Sequence, residues 1–181
     1  MQEGLCILDL GSTSSANISY LTDLGHRLYT EDVLKASQDP ELTTIGEAGE
    51  SVLNLNRFLA ENLTYEGPLF DAVLCWDVAD YLPEPMVKPM IDRICSLMKP
   101  GGLLLAFFHT RDAGPEAPHY RYHLAGNDVL DLQPTSGKSG GPGFRLQRVF
   151  NNRHIENLFH DYASIKFFLA RDHVREVLVI R

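Results

Sequence analysis

Apolar residues change their spacing several times along the chain, and the changes mark out alternating strands and helices. The unbroken run Leu5 to Leu8 predicts a buried strand, ending in Asp9-Leu10-Gly11 and the small residues Ser12 to Ser15. Residues 16–24 then have helical character, closed by Gly25, and residues 26–30 predict a second short strand delivering Glu31 and Asp32. Residues 70–78 form another apolar run of strand length. In residues 85–98, Met86, Val87, Met90, Ile91, Ile94, Leu97 and Met98 recur at helical spacing, so one helix face is expected to cover a sheet. Lys99-Pro100-Gly101-Gly102 predicts a turn into a strand over 103–108, whose end carries His109. Such alternation predicts a mostly parallel sheet with helices on its faces.

Elsewhere the pattern is less regular. Residues 35–49 are polar and turn-rich, and Val52, Leu53, Leu55, Phe58 and Leu59 suit a helix over 50–60 running into a short third strand. Residues 111–143 contain Pro115, Pro118, Pro134 and Pro142 among many glycines. Residues 120–124 and 144–150 both alternate as half-buried strands do, and are expected to pair as a hairpin with 136–143 as its connection. A helix over 151–162 and closing antiparallel strands over 164–170 and 175–180 complete the expected order.

An acid and a glycine delivered by the first strand into a turn, with a second carboxylate about twenty residues on, predict the first βα unit of a nucleotide-binding α/β domain. The chain resembles the class I S-adenosylmethionine-dependent methyltransferases. Asp9, Leu10 and Gly11 match the start of their first motif, with Thr13 and Ser15 where its second and third glycines stand. Asp32 falls on the family's ribose-binding acid, Phe70-Asp71 resembles the start of its fourth strand, and Leu97-Met98-Lys99-Pro100-Gly101-Gly102 resembles the turn before its fifth. The resemblance implies one domain over 1–181, with a Rossmann-like, seven-stranded, three-layer αβα sheet, an antiparallel final strand, and an inserted hairpin and loop around 111–150. It also makes residues 57–65 the third strand and its turn.

The resemblance implies S-adenosylmethionine as cofactor. Ligands of open α/β sheets lie beyond the carboxyl ends of the strands, and Asp9, Gly11, Asp32, Asn62, Trp76, Asp77 and His109 map to that edge. The turn with Ser12 and Thr13 would present N–H groups to the methionine carboxylate. Asp32 would take the ribose diol, Asn62 the adenine amino group, and Trp76 and Asp77 would flank the methionine part. Each has a plainer role: Asp9 as a turn cap, Trp76 as core, Asp77 or Asp80 as a helix cap. Displacement from a sulfonium needs alignment and exclusion of water, and a general base only where the acceptor must lose a proton. His109 is the first candidate for that base, followed by Asp80, Tyr81, Tyr120 and His123.

With 181 residues and 44% hydrophobic content the chain has enough material for a core, and a formal net charge of −8 without a basic run speaks against a nucleic-acid partner. No stretch approaches the roughly 18–20 apolar residues of a membrane span, so a cytoplasmic protein is expected. Cys6, Cys75 and Cys95 are too widely spaced for a disulfide framework or a metal site. Asn17-Ile18-Ser19 and Asn62-Leu63-Thr64 match the glycosylation pattern, and Gly137-Lys138-Ser139 lacks the leading glycine of a phosphate loop. Family members usually carry helices before the first strand, whereas here Leu5 already begins it. Either the segment around Tyr120, a homodimer or a partner subunit covers the open face, or the site stays open. Asp77-Val78-Ala79-Asp80 stands where amino-methylating enzymes acting on bases or glutamine side chains carry an Asn- or Asp-Pro-Pro-aromatic run, which speaks against that class, and a small-molecule methyl acceptor is the default expectation. Because Thr13 and Ser15 replace glycines, a catalytically silent binding or regulatory module is the alternative. A nicotinamide-dependent oxidoreductase is disfavoured by the missing Gly-x-Gly-x-x-Gly turn.

Overall fold

A computed structural model describes residues 3–114, 117–135, 144–169 and 172–181. Strand β1 (Cys6–Asp9) is buried along its whole length, as its apolar run requires. Helix α1 (Ser15–Asp23) begins where the Ser14 hydroxyl accepts from the Asn17 N–H at 3.2 Å, and ends at Gly25, whose φ of 86° would strain any other residue. Strand β2 (Arg27–Thr30) returns alongside β1, and α2 (Val33–Ser37) is capped by Asp32.

Residues 57–65 depart from the expected third strand. Asn54 accepts from the Arg57 N–H at 3.0 Å and starts helix α3 (Leu55–Glu61), which the Arg57–Glu61 ion pair one turn apart supports. The turn-rich segment holds one short strand, β3 (Thr43–Ile45), and residues 51–53, expected to be helical, form β4 (Ser51–Leu53) instead, because β3 and β4 pair with each other and the Asn54 cap starts the helix only at Leu55.

Strand β5 (Phe70–Trp76) lies beside β1, and the short α4 (Val78–Tyr81) follows. Helix α5 (Glu84–Leu97) buries Met86, Val87, Met90, Ile91, Ile94 and Leu97, the face its spacing predicts. Strand β6 (Met98–His109) starts earlier than expected. Residues 99–102 bulge out between the pairs Phe70–Met98 and Ala72–Leu103, so Gly101-Gly102 forms a kink inside the strand rather than a turn before it. A side chain at Gly102 would meet the Lys99 carbonyl at 2.9 Å.

The inserted hairpin differs from expectation. Strand β7 (Tyr120–Gly126) pairs with β8 (Val129–Pro134) across the two-residue turn Asn127-Asp128, and not with residues 144–150. That later segment is held by α4 instead. The Gln147 N–H donates to Asp80 O at 2.9 Å, and the Arg148 guanidinium donates to the carbonyls of Ala79 and Leu82 at 3.2 and 3.0 Å. The expected connection over 136–143 lies outside the described residues.

Helix α6 (Asn152–Leu158), β9 (Ser164–Leu169) and β10 (Val174–Ile180) finish the chain, with β10 antiparallel to both β6 and β9. Among the described residues the main sheet has six strands in the order β2-β1-β5-β6-β10-β9, and only β10 opposes the rest. The expected mixed sheet is present, with α3 where the third strand was expected. The core packs on it through Phe58, Phe70, Phe108, Met86 and Ile94, all fully buried. Strand order reverses between β1 and β5, which makes their carboxyl ends the natural ligand position.

Candidate functional site

Asp9 closes β1 at that reversal and is fully buried. Its Oδ1 accepts from the Gly11 N–H at 3.1 Å and from the Trp76 indole N–H at 2.7 Å. Oδ2 and the nearby Thr13 hydroxyl are buried without a partner among the described residues. Burial pushes the Asp9 pKa up, against the pull of its bonds to Trp76 and Gly11.

Trp76 ends β5 with φ 51°, a left-handed conformation that costs about 1–3 kcal/mol in a non-glycine residue. The bond to Asp9 and the Tyr122 ring hold it there, the two rings stacked 5.1 Å apart and tilted by only 6°. The indole leaves no room at Gly11, where a Cβ would stand 2.7 Å from Trp76 Cδ1. Gly11→Ala is therefore expected to displace Trp76 and to lower thermal stability by about 1–3 kcal/mol, measurable as lower stability with a shifted tryptophan emission.

Gly11, Ser12, Asp32, Trp76 and Asp77 line one cleft of about 130 Å3. The Asp32 carboxylate also caps α2, accepting from the Lys35 N–H at 3.0 Å. Asn62 does not line this cleft; it ends α3, and its amide donates to Phe58 O at 2.9 Å. The neighbouring Glu31 is tied to the Leu63 N–H at 2.8 Å.

The hairpin and its approach bring in Tyr122 and His119, which the sequence did not single out, and place the candidate base His123. The Asn17 side chain clips β7 to α1, donating to Tyr122 O at 2.8 Å and accepting from the Leu124 N–H at 2.7 Å. Tyr122 thereby lies over Trp76, and its hydroxyl donates to Asp77 at 3.0 Å. His119 is buried beside them, with Nε2 3.6 Å from Asp77 and Nδ1 3.0 Å from the Thr135 hydroxyl. His123 bridges Ser14 and Gln133 at 2.8 and 2.9 Å, and lines neither this cleft nor its neighbour.

A second cavity of about 410 Å3 adjoins the first, and Tyr120 and Tyr122 line both. Tyr81 and His109 face it. Behind His109 is the fully buried Asp80, whose Oδ2 accepts from the His109 backbone N–H at 2.6 Å and contacts ring Nδ1 at 2.8 Å. Burial pushes the Asp80 pKa up to about 6, against these hydrogen bonds. Burial also disfavours the charged His109 ring, but the bond to Asp80 outweighs it and the pKa is raised. Tyr81 packs edge-on against His109 and His119, with centroids 5.8 and 4.6 Å away.

Among the described residues no group of three or more His, Cys, Asp or Glu is placed to hold a metal ion, and no helix is long and apolar enough to cross a membrane.

A family model described as a methyltransferase domain matches residues 8–106, more than half of the chain. No curated protein matches the sequence. Among solved structures, the 1,6-didemethyltoxoflavin-N1-methyltransferase of Burkholderia thailandensis, with bound 1,6-didemethyltoxoflavin and S-adenosylhomocysteine, is 15% identical with a TM-score of 0.53, covering 99% of this chain and 72% of that one. A methyltransferase from Methanosarcina mazei described as SAM-dependent is 16% identical with a TM-score of 0.55, covering 100% and 94%. An S-adenosylmethionine-dependent methyltransferase from Mesorhizobium loti is 13% identical with a TM-score of 0.52, covering 99% and 92%. At these identities the likeness is one of fold. With the matched family model and a strand-order reversal beside Gly11, the chain belongs to the methyltransferase-domain family.

Proposed function

We propose that the protein transfers a methyl group from S-adenosylmethionine to a small-molecule acceptor. The observation that carries this reading is the pair of adjoining spaces at the strand-order reversal, the first lined by Gly11, Ser12, Asp32 and Asp77 and the second by Tyr81 and His109, sharing Tyr120 and Tyr122 as a wall. The donor set suits the cofactor. Asp9 Oδ2 is a buried acceptor without a partner among the described residues, behind the Gly11 and Trp76 wall of the cleft, and would draw the methionine ammonium to that end. Asp32 lines the cleft with a carboxylate suited to two ribose hydroxyls. S-adenosylmethionine supplies a methyl group on a sulfonium sulfur, which leaves as a neutral thioether when an acceptor lone pair displaces it.

What the chain contributes is position, exclusion of water and a proton acceptor. Trp76 and Tyr122 stack on each other as an aromatic wall of the cleft, and a dry site strengthens each polar contact inside it. At about 130 Å3 the cleft is smaller than the roughly 300–1,000 Å3 of small-molecule sites. In this reading β7 lifts from Trp76 to admit the cofactor, which also opens the wall toward the second cavity. His109, oriented by Asp80, holds Nε2 ready to accept a proton from the acceptor.

Trp76 is the single tryptophan of the chain, so binding reads directly in its emission. Titration with S-adenosylhomocysteine, followed by emission and calorimetry, is expected to give saturable binding. Asp32→Ala should weaken it about 10–100-fold, the loss of a charged hydrogen-bonding group. Absence of binding at millimolar ligand would sink the proposal.

A further inference from the structure

The second cavity has mainly aromatic and apolar walls and a single oriented base, His109. Tyr81, Tyr120 and Tyr122 give it aromatic faces, and Pro118, Leu146 and Val174 add apolar ones. A flat apolar ring suits such walls, through offset or edge-on contact. Arg145 and Asp172 also line it, so neither sign of charge prevails in the occupant.

His109 supplies the polar anchor. Asp80 Oδ2 takes both the backbone N–H and ring Nδ1 of His109. That arrangement fixes the tautomer with the proton on Nδ1 and leaves Nε2 as the basic nitrogen. The His109 side chain remains 19% exposed while Asp80 is fully enclosed, so Asp80 orients the ring and His109 meets the occupant.

The choice of acceptor atom follows from what needs such a base. A carboxylate is already ionised, and a neutral amine attacks through its own lone pair and loses its proton afterwards. A hydroxyl is a weak nucleophile until it is deprotonated. A phenol, with a pKa of about 10, is within reach of an oriented imidazole, and an aliphatic alcohol is not. We propose that this cavity binds a phenolic acceptor, whose hydroxyl proton passes to His109 Nε2 to leave a phenolate beside an imidazolium. The proposal rests on the methyl-transfer reading for its purpose, but its binding and proton-transfer steps are observable without the cofactor.

The probe is para-nitrophenol, whose phenolate absorbs at longer wavelength than the phenol. At a pH where the free probe is mostly the phenol, the unmodified protein is expected to bind it and raise the phenolate band in a saturable way. His109→Gln keeps a polar side chain without a base, and is expected to remove at least nine-tenths of that band while binding persists. Asp80→Asn is expected to reduce the band less, as a positioning residue should. The amine isostere para-nitroaniline is expected to bind at least tenfold more weakly. Failure of the native protein to bind para-nitrophenol, binding without the phenolate band, or an undiminished band in folded His109→Gln would each overturn the proposal. Parallel titration with S-adenosylhomocysteine separates the two readings: cofactor binding without phenol binding removes only the acceptor class, and the reverse removes only the cofactor.

Discussion

Trp76→Phe is expected to lower folding stability by about 2–4 kcal/mol at neutral pH, as a buried carboxylate loses one of its two donors. In the native protein Asp9 Oδ1 accepts from the indole and from the Gly11 N–H, while Oδ2 has no partner among the described residues. Phenylalanine keeps an aromatic face for Tyr122 but cannot donate, so the charge would rest on one backbone N–H. The size of the loss should depend on pH. Burial raises the Asp9 pKa in the folded state, so this group's contribution to stability is greatest below its unfolded pKa and declines as pH rises through the folded one. Removing the indole donor would raise the folded pKa further. The cost of the substitution should therefore shrink in acid, where Asp9 is protonated in both proteins. Asp9→Asn, neutral and still able to accept through its amide oxygen, should recover much of the loss when combined with Trp76→Phe. Urea unfolding at two pH values checks this, and an equal loss at both would contradict the assignment.

Asn17→Ala is the second large expected effect, about 2–4 kcal/mol, because it leaves a buried carbonyl at Tyr122 and a half-buried N–H at Leu124 unmatched. The consequence should be local as well as global. Hydrogen exchange at Leu124 should quicken more than exchange in β5 or β6, since the hairpin loses its clip to α1 while the main sheet keeps its ladders. If Tyr122 limits entry to the cleft, the same variant should bind S-adenosylhomocysteine more tightly despite its lower stability. Weaker binding in a folded variant would mean that the hairpin contributes to the site more than it obstructs it. Asn17→Asp keeps the acceptor for Leu124 and loses the donor to Tyr122, so it should fall between the two.

The parts of the fold legible from sequence are those where one local pattern has one explanation. Leu5 to Leu8, the run into Trp76 and the helical face of α5 are buried where their spacing indicates. Residues 57–65 mislead because the family pattern points to a strand while the local signals do not. Asn54 at a cap position and Arg57 four residues before Glu61 both favour a helix. Residues 144–150 illustrate a different limit. Their burial does alternate, yet their backbone and side-chain bonds go to α4, since alternation records which side chains face inward and not which chain segment lies alongside. The correct hairpin had a signal in Gly126-Asn127-Asp128, a compact turn sequence. At the cleft, Gly11, Asp32, Trp76 and Asp77 could be placed because strand ends fix them. Tyr122 and Asn17 could not, because their contacts join segments 105 residues apart.

The buried clip at Asn17 also bears on how the protein can be produced. Asn17-Ile18-Ser19 is an acceptor sequence for oligosaccharide attachment, but in the folded chain Asn17 is only 1% exposed and its amide is engaged with β7. A sugar chain has no room there. In a eukaryotic host that routes the polypeptide through its secretory apparatus, attachment during synthesis would precede hairpin closure and leave β7 undocked. Material from such a host would differ in shape from material made in a bacterial cytosol, although the two polypeptides would have the same sequence.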